Sequence, residues 1–411
     1  MFDGFTVSDG NDIYVNGNSG IETFGNTVIQ NCVSFNNEGL GIFNSKGVVT
    51  NCYIHSNSWS GIYNYGTVSD CTVENNSIYG EFGEYYGGGI ANRKNGNIIN
   101  CKVIGNQVIA WQPNIKNSSS SFNDAEGGGI SNWDNGIVDR CLVMNNTAFS
   151  YNVATSGSSQ GYVSAYARGG GIFSTVYAVV SNCCVFNNKA VATKSTSSLG
   201  AEAIATGGVY GGNNYNLTIA NNTGVAGFYY ENGSEINFSS GPKTANCITD
   251  ATNIGQNFVR PTSFIGIATS GAQLTELLKA DWHLKAGSQY INAGTLTDLP
   301  DWFTGGTDLA GKPRTHNGKI SIGAYEYDAS YTGINELQLS NMTVFPNPAT
   351  DQITISGLQS GEMLYIYDVN GQRLLLRKAT EETEQFVVSQ LPSGIYFVKT
   401  SNGQVLKWIK K

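Results

Sequence analysis

The sequence predicts an all-β chain: a right-handed parallel β-helix solenoid followed by a small antiparallel Ig-like β-sandwich. Three observations predict it. One short pattern recurs along the first half, up to Asn222. Gly supplies 51 of the 411 residues while charged residues make up only 13%, a balance that suits short strands and tight turns better than amphipathic helices. Beyond residue 341 the pattern changes to alternating apolar and polar residues broken by hairpin signals.

The fullest copy of the pattern runs from Gly127 to Asn146, GGGISNWDNGIVDRCLVMNN. Its siblings place a Gly before a β-branched residue at Gly20, Gly41, Gly61, Gly89, Gly129, Gly171 and Gly208. A buried anchor follows at Cys32, Cys52, Cys71, Cys101, Cys141, Cys183 and Leu217, flanked by Val and Ile at fixed offsets. Copies as short as 20 residues leave room for two or three strands and their corners, not for paired helices. One such rung alone would expose its polar edges and apolar face, so stability must come from stacking.

Five residues after each anchor stand Asn37, Asn57, Asn76, Asn106, Asn146, Asn188 and Asn222. They are expected to form a corner ladder, taking left-handed geometry and bonding amide to amide. Asn44, Asn64, Asn92 and Asn132 predict a second, shorter ladder. Six of the eight Cys share one repeat position, which predicts a column of buried thiols rather than cross-links. Over residues 1–240 the chain resembles the pectin-lyase-like right-handed β-helix superfamily, and strings such as Gly169–Phe173 and Phe186–Asn188 resemble repeats of bacterial surface adhesins. The opening MFDGFTVSDGN reads as a strand already in progress, so further N-terminal rungs are expected.

Between the ladder Asn and the next Gly lie 38–40, 58–60, 77–88, 107–128, 147–170 and 189–207. All the growth is at one corner, so four long loops are expected side by side on one flank, the expected place for function. Their aromatics include Tyr79, Tyr85, Tyr86, Trp111, Tyr151 and Tyr162, which suit sugar rings or else fasten the loops to the body. Four residues after the repeat Gly, Tyr65, Arg93 and Trp133 fall on consecutive rungs, a stripe fit for an acidic glycan or simply exposed.

Catalytic residues are not predicted. Glu81, Glu84, Asp124, Glu126, Asp134, Asp139 and Glu202 read as scattered through loops with no shared repeat position, and the resemblance to lyases and hydrolases of this fold would require clustered carboxylates. His55, His283 and His316 lack metal-ligand spacing, and no metal or cofactor is implied. The net charge of −8 argues against nucleic-acid binding, and no apolar run reaches the ~20 residues of a membrane span.

Residues 241–329 read as a cap for the last apolar rung. Leu284–Gly287, Ile291–Gly294, Asp308–Arg314 and Ile322–Tyr327 resemble the choice-of-anchor Q region of Bacteroidetes surface β-helices, with Asp308 and Arg314 expected to pair. A linker is expected at 330–340, and a small sandwich at 341–411.

The sandwich resembles the type A C-terminal sorting domain of the type IX secretion system. The resemblance rests on Pro346, Asn347 and Pro348, on Asp368 with Gly371, on Gly394 with Tyr396, and on the basic end Lys407, Lys410 and Lys411. It implies export across the outer membrane to the medium or cell surface, the type IX machinery as partner, and attachment to lipopolysaccharide if the tail is cleaved. The expected activity is glycan or host-surface binding without catalysis. The alternatives are a polysaccharide lyase or glycoside hydrolase on the same flank, or a structural spacer.

Overall fold

The computed structural model describes residues 1–10, 19–115, 121–154, 163–194, 203–226, 232–237, 244–249, 254–265, 267–297, 299–331, 343–358, 361, 363–368, 373–400 and 405–411. Two compact units divide the chain, Met1–Ser330 and Tyr331–Lys411.

The first unit is a right-handed parallel β-helix whose rungs pair in register through three columns of short strands. The column after the repeat Gly stacks Ile21–Thr23, Ile42–Asn44, Ile62–Asn64, Ile90–Asn92 and Ile130–Asn132. A second stacks Val28–Gln30, Val48–Thr50, Thr67–Ser69, Asn97–Ile99 and Ile137–Asp139. The third runs from Thr6–Ser8 to Thr218–Ala220 as an eight-stranded sheet. The strands turn apolar side chains inward, save Val33–Phe35, which buries Ser34, and Ile90, Ile98, Cys101 and Val103 of one rung are all buried in a single continuous core. Complete burial of each Ile or Val contributes roughly 1.5–3 kcal/mol.

The Asn ladder is present, with one correction. Asn106 Nδ2 donates to Asn146 Oδ1 at 3.1 Å, and Asn146 Nδ2 donates to Asn188 Oδ1 at 2.9 Å. The left-handed residue is not the ladder Asn but the one before it, as at Asn75, Asn145 and Asn187. That kink aims the following amide inward, where it also meets a backbone carbonyl, as Asn146 Nδ2 meets Val103 O at 2.9 Å. The second ladder forms as expected, Asn44 to Asn64 to Asn92 to Asn132, at 2.7–2.9 Å. All eight Cys are free thiols, and the six at the repeat position line the core.

Stacking continues past residue 240: Asn232–Asn237 and Thr244–Ala245 pair on Ala203–Tyr215, and Ile248 bridges to Thr218. Cys247 occupies the anchor position of this further rung, against the same core.

The cap does more than close the end. Its segment from Phe258 to Leu284 covers the outer face of the third column, where Phe186 meets Trp282 at 5.3 Å between ring centres. The reason lies in the rungs: the outward residue changes from His55 and Glu74 to Ile104, Met144, Phe186 and Ala220, which water would disfavour. Arg314 is fully buried and pairs with Glu326 at 3.2 Å rather than with Asp308. The Asp308 carboxylate instead accepts from the backbone N–H groups of Ala310, Lys312 and Glu326.

The second unit is an antiparallel sandwich. Thr343–Phe345, Gln352–Ser356 and Thr383–Val387 form one sheet; Arg373–Lys378, Met363–Asp368, Gly394–Thr400 and Val405–Lys410 form the other. Between them lie Ile353, Leu364, Ile366, Phe386, Val398 and Trp408. From residue 332 the expected linker lies outside the described residues, as does Gly371 with both hairpin turns.

Candidate functional site

The four inserted segments are strands rather than loops. They rise from the body as a wing of two facing parallel sheets. Outgoing strands Ser77–Gly80, Gln107–Ile115, Thr147–Ala154 and Lys189–Lys194 stack in one sheet. Returning strands Gly83–Tyr86, Ser121–Glu126 and Val163–Arg168 stack in the other, followed by the start of Ala203–Tyr215. Small residues fill the narrow space between them: Ala110, Ala125, Ala148, Ala165, Ala167 and Ala190. Their period-2 spacing, as in AFSYNVA and VSAYAR, was the available strand signal.

Each returning strand meets the body at a Gly bend. Gly127 has φ +67°, and a Cβ there would lie 2.2 Å from Ile130 O. Beyond the bend the sheet continues into the body, so the wing and the body form the two walls of a seam. The body wall carries Phe43, Tyr63, Ala91, Ser131, Phe173 and Tyr210 in one register, two residues after the repeat Gly. The wing wall carries Tyr86, Glu126, Arg168 and Thr206 in one register, with Glu84, Asp124 and Tyr166 beside them. Two of these carboxylates therefore do share a repeat position, Glu84 and Asp124, each five residues before the repeat Gly, while Glu126 stands three before it in line with Tyr86 and Arg168. Variable insertion lengths hid this when counting forward from the Asn.

Of the residues expected to bind ligand, Tyr86, Arg93 and Trp133 come together in the seam. The Arg93 guanidinium carbon lies 4.6 Å from the Tyr86 ring centre, 4.5 Å from that of Trp133 and 5.7 Å from that of Tyr63. Tyr86 meets Trp133 edge to face at 5.0 Å. Tyr65 sits beside Tyr63 at 5.5 Å, at the margin of the same group. Among the described residues no carboxylate forms an ion pair with Arg93.

The others are elsewhere. Tyr85 turns into the wing's interior and donates its hydroxyl to Phe82 O at 2.9 Å, a fastening role. Trp111 and Tyr151 are on the wing's outer face, stacked on each other at 4.2 Å and 14°, so each ring covers one face of the other. Tyr79 is on that outer face too, and exposed. Tyr162 and Glu202 lie outside the described residues.

Arg168, Phe173 and Tyr210 complete the seam. Arg168 bridges two acids, with Nη2 at 2.8 Å from Asp124 Oδ2 and in contact with Glu126 Oε1. Burial pushes the Glu126 carboxyl up to about 8 and Asp124 up to about 6, the nearby acids add to the rise, and the pull of Arg168 offsets it only in part. Both acids are therefore harder to ionise than a free carboxylate, and the pair shares the one Arg168 guanidinium. Glu126 Oε2, Asp124 Oδ1, Ser131 Oγ, Trp133 Nε1 and Arg93 Nε are buried without a hydrogen-bond partner among the described residues.

Sorting-domain residues are mostly structural. Asn347 Oδ1 accepts from Ile409 N at 3.0 Å, which ties the first loop to the last strand. Tyr396 stacks on Trp408 at 5.0 Å and donates its hydroxyl to Pro392 O at 2.8 Å. Lys410 is buried, whereas Pro346, Pro348, Gly394, Lys407 and Lys411 are exposed and Asp368 is half-buried.

Residues 343–411 match the family described as the secretion system C-terminal sorting domain. A search of the curated proteins finds no match. Among solved structures, the chain is similar to PorZ, an essential bacterial surface component of the type IX secretion system of Porphyromonas gingivalis. The identity is 21% over 23% of this chain and 13% of that one, with a TM-score of 0.17. It is also similar to a pectate lyase, at 12% identity over 73% of this chain and 72% of that one, with a TM-score of 0.32. The β-helix itself is established by its strand pairing. No helix among the described residues is long and apolar enough to cross a membrane. With its motif residues in order and its sandwich complete around Trp408, the segment 343–411 is a C-terminal sorting domain of the type IX secretion system, and it directs the β-helix before it to the cell surface or medium.

Proposed function

We propose that this exported β-helix binds glycans bearing acidic groups in the seam and does not cleave them. The observation that carries the reading is Arg93: a guanidinium packed against the rings of Tyr86 and Trp133, with no ion pair to a carboxylate among the described residues. The two rings, set edge to face, confine the guanidinium and leave its terminal Nη groups to meet a carboxylate or sulfate, while neighbouring aromatic rings suit the C–H faces of sugars. Trp111, Tyr151 and Tyr79 on the wing's outer face are a secondary contact surface.

Cleavage is the second reading, and Asp124 and Glu126 favour it. Two neighbouring carboxyls, both raised by burial, are the kind of acid pair that glycoside hydrolysis uses. Both are almost fully buried, which favours binding over turnover. Incubation with acidic and neutral polysaccharides, scored for retention and for new reducing or unsaturated ends, separates the two. Retention without products is expected, and products that disappear in Glu126→Gln would replace binding by hydrolysis.

A further inference from the structure

The sorting domain has two outer sheet faces of unlike chemistry. On the three-stranded sheet the outward residues are chiefly polar and uncharged: Thr343, Gln352, Thr354, Ser356, Thr383 and Gln385, with Phe345 and Val387 the two apolar exceptions. On the four-stranded sheet they are aromatic, aliphatic and basic. One cross-strand row reads Leu376, Tyr365, Lys399 and another Arg373, Tyr367, Phe397, Lys407, while Ile395 pairs with Ile409. Tyr365 and Tyr367 lie side by side at 6.2 Å between ring centres. Leu376, Ile395 and Ile409 are each about two-fifths exposed or more, at 47%, 41% and 39%.

None of these side chains belongs to the sandwich core, which Leu364, Ile366, Val398 and Trp408 fill from the other side of the same strands. Exposed apolar area of this kind marks an interaction surface. Every charged side chain at the outward positions of these strands is basic, in a chain whose net charge is −8.

We propose that this face, centred on Tyr365, Tyr367 and Phe397, is where the type IX export machinery grips the domain, through a protein surface that is apolar at its centre and carboxylate-bearing at its border. The occupant follows from what the domain is: a sorting domain must be recognised, and the motif residues Asn347 and Tyr396 are committed to holding the sandwich together. The bordering lysines would steer a partner of opposite charge and exclude basic ones.

The test is export of the full chain in a bacterium with a working type IX system. Charge reversal of exposed side chains, Lys399→Glu with Lys407→Glu, leaves the core intact; Val387→Asp on the opposite face is the control. The double variant is expected to lower the exported fraction about tenfold while retaining the wild-type melting temperature, with the control unaffected. Normal export of the double variant, or an equal loss in the control, would overturn the proposal. So would purified wild type either forming a dimer or binding lipopolysaccharide vesicles through these lysines while export stays unchanged.

Discussion

Glu126 and Arg168 stand directly opposite each other on neighbouring parallel strands of the wing, and their side chains meet in the seam. This contact, in which burial holds the Glu126 carboxyl above its usual range, links two of the long insertions.

It predicts a pH dependence. The Glu126 carboxyl is raised in the folded chain to about 8, above its unfolded value of roughly 4.3, so the folded state holds more protons between those limits and stability falls as pH rises across them. Glu126→Gln removes that slope. The variant is expected to match wild type near pH 5 and to exceed it at pH 8 by on the order of 1–3 kcal/mol, measured by urea unfolding at both pH values.

The Asn ladder predicts a larger and pH-independent cost. Asn146→Ala removes an amide that donates to Val103 O and Asn188 Oδ1, and it deprives Asn106 N of its acceptor. A loss of about 2–4 kcal/mol is expected in denaturant unfolding. A loss under about 0.5 kcal/mol would mean that stacking is independent of the ladder.

Much of the rung architecture is legible in the sequence. The repeat Gly, the Cys and the Asn specified the rungs, because inward positions recur at fixed offsets and tolerate only small or β-branched residues. The wing is not, since its insertions differ in length and their alternation of Ala with Tyr or Phe is brief. Counting backward from the Gly would have aligned Tyr86, Glu126 and Arg168. The cap's second role was also hidden, because the apolar run Ile104, Met144, Phe186 is spread over rungs many residues apart.

The thiol column predicts reactivity only on unfolding. Burial raises the thiols of Cys101, Cys141 and Cys184 well above their ordinary range. A thiol reagent is expected to leave these three untouched in the native chain and to titrate all eight Cys in denaturant without reductant. Fewer than eight would reveal a disulfide.

At the bend, Gly127→Ala would force a Cβ to 2.2 Å from Ile130 O at a positive φ. A destabilisation of about 2 kcal/mol or more is expected, and because the bend joins wing to body, amides of Ser121–Glu126 should lose hydrogen-exchange protection before those of Ile130–Asn132. Uniform loss across both would place the strain elsewhere.

The central claim is that Arg93 recognises acidic sugars, and calorimetric titration of acidic oligosaccharides into wild type, Arg93→Ala and Arg93→Lys tests it most directly. The account predicts that Ala weakens binding at least about tenfold and that Lys restores only part of it, because a compact ammonium replaces the planar guanidinium packed against the two rings. Equal affinity in all three proteins would contradict it.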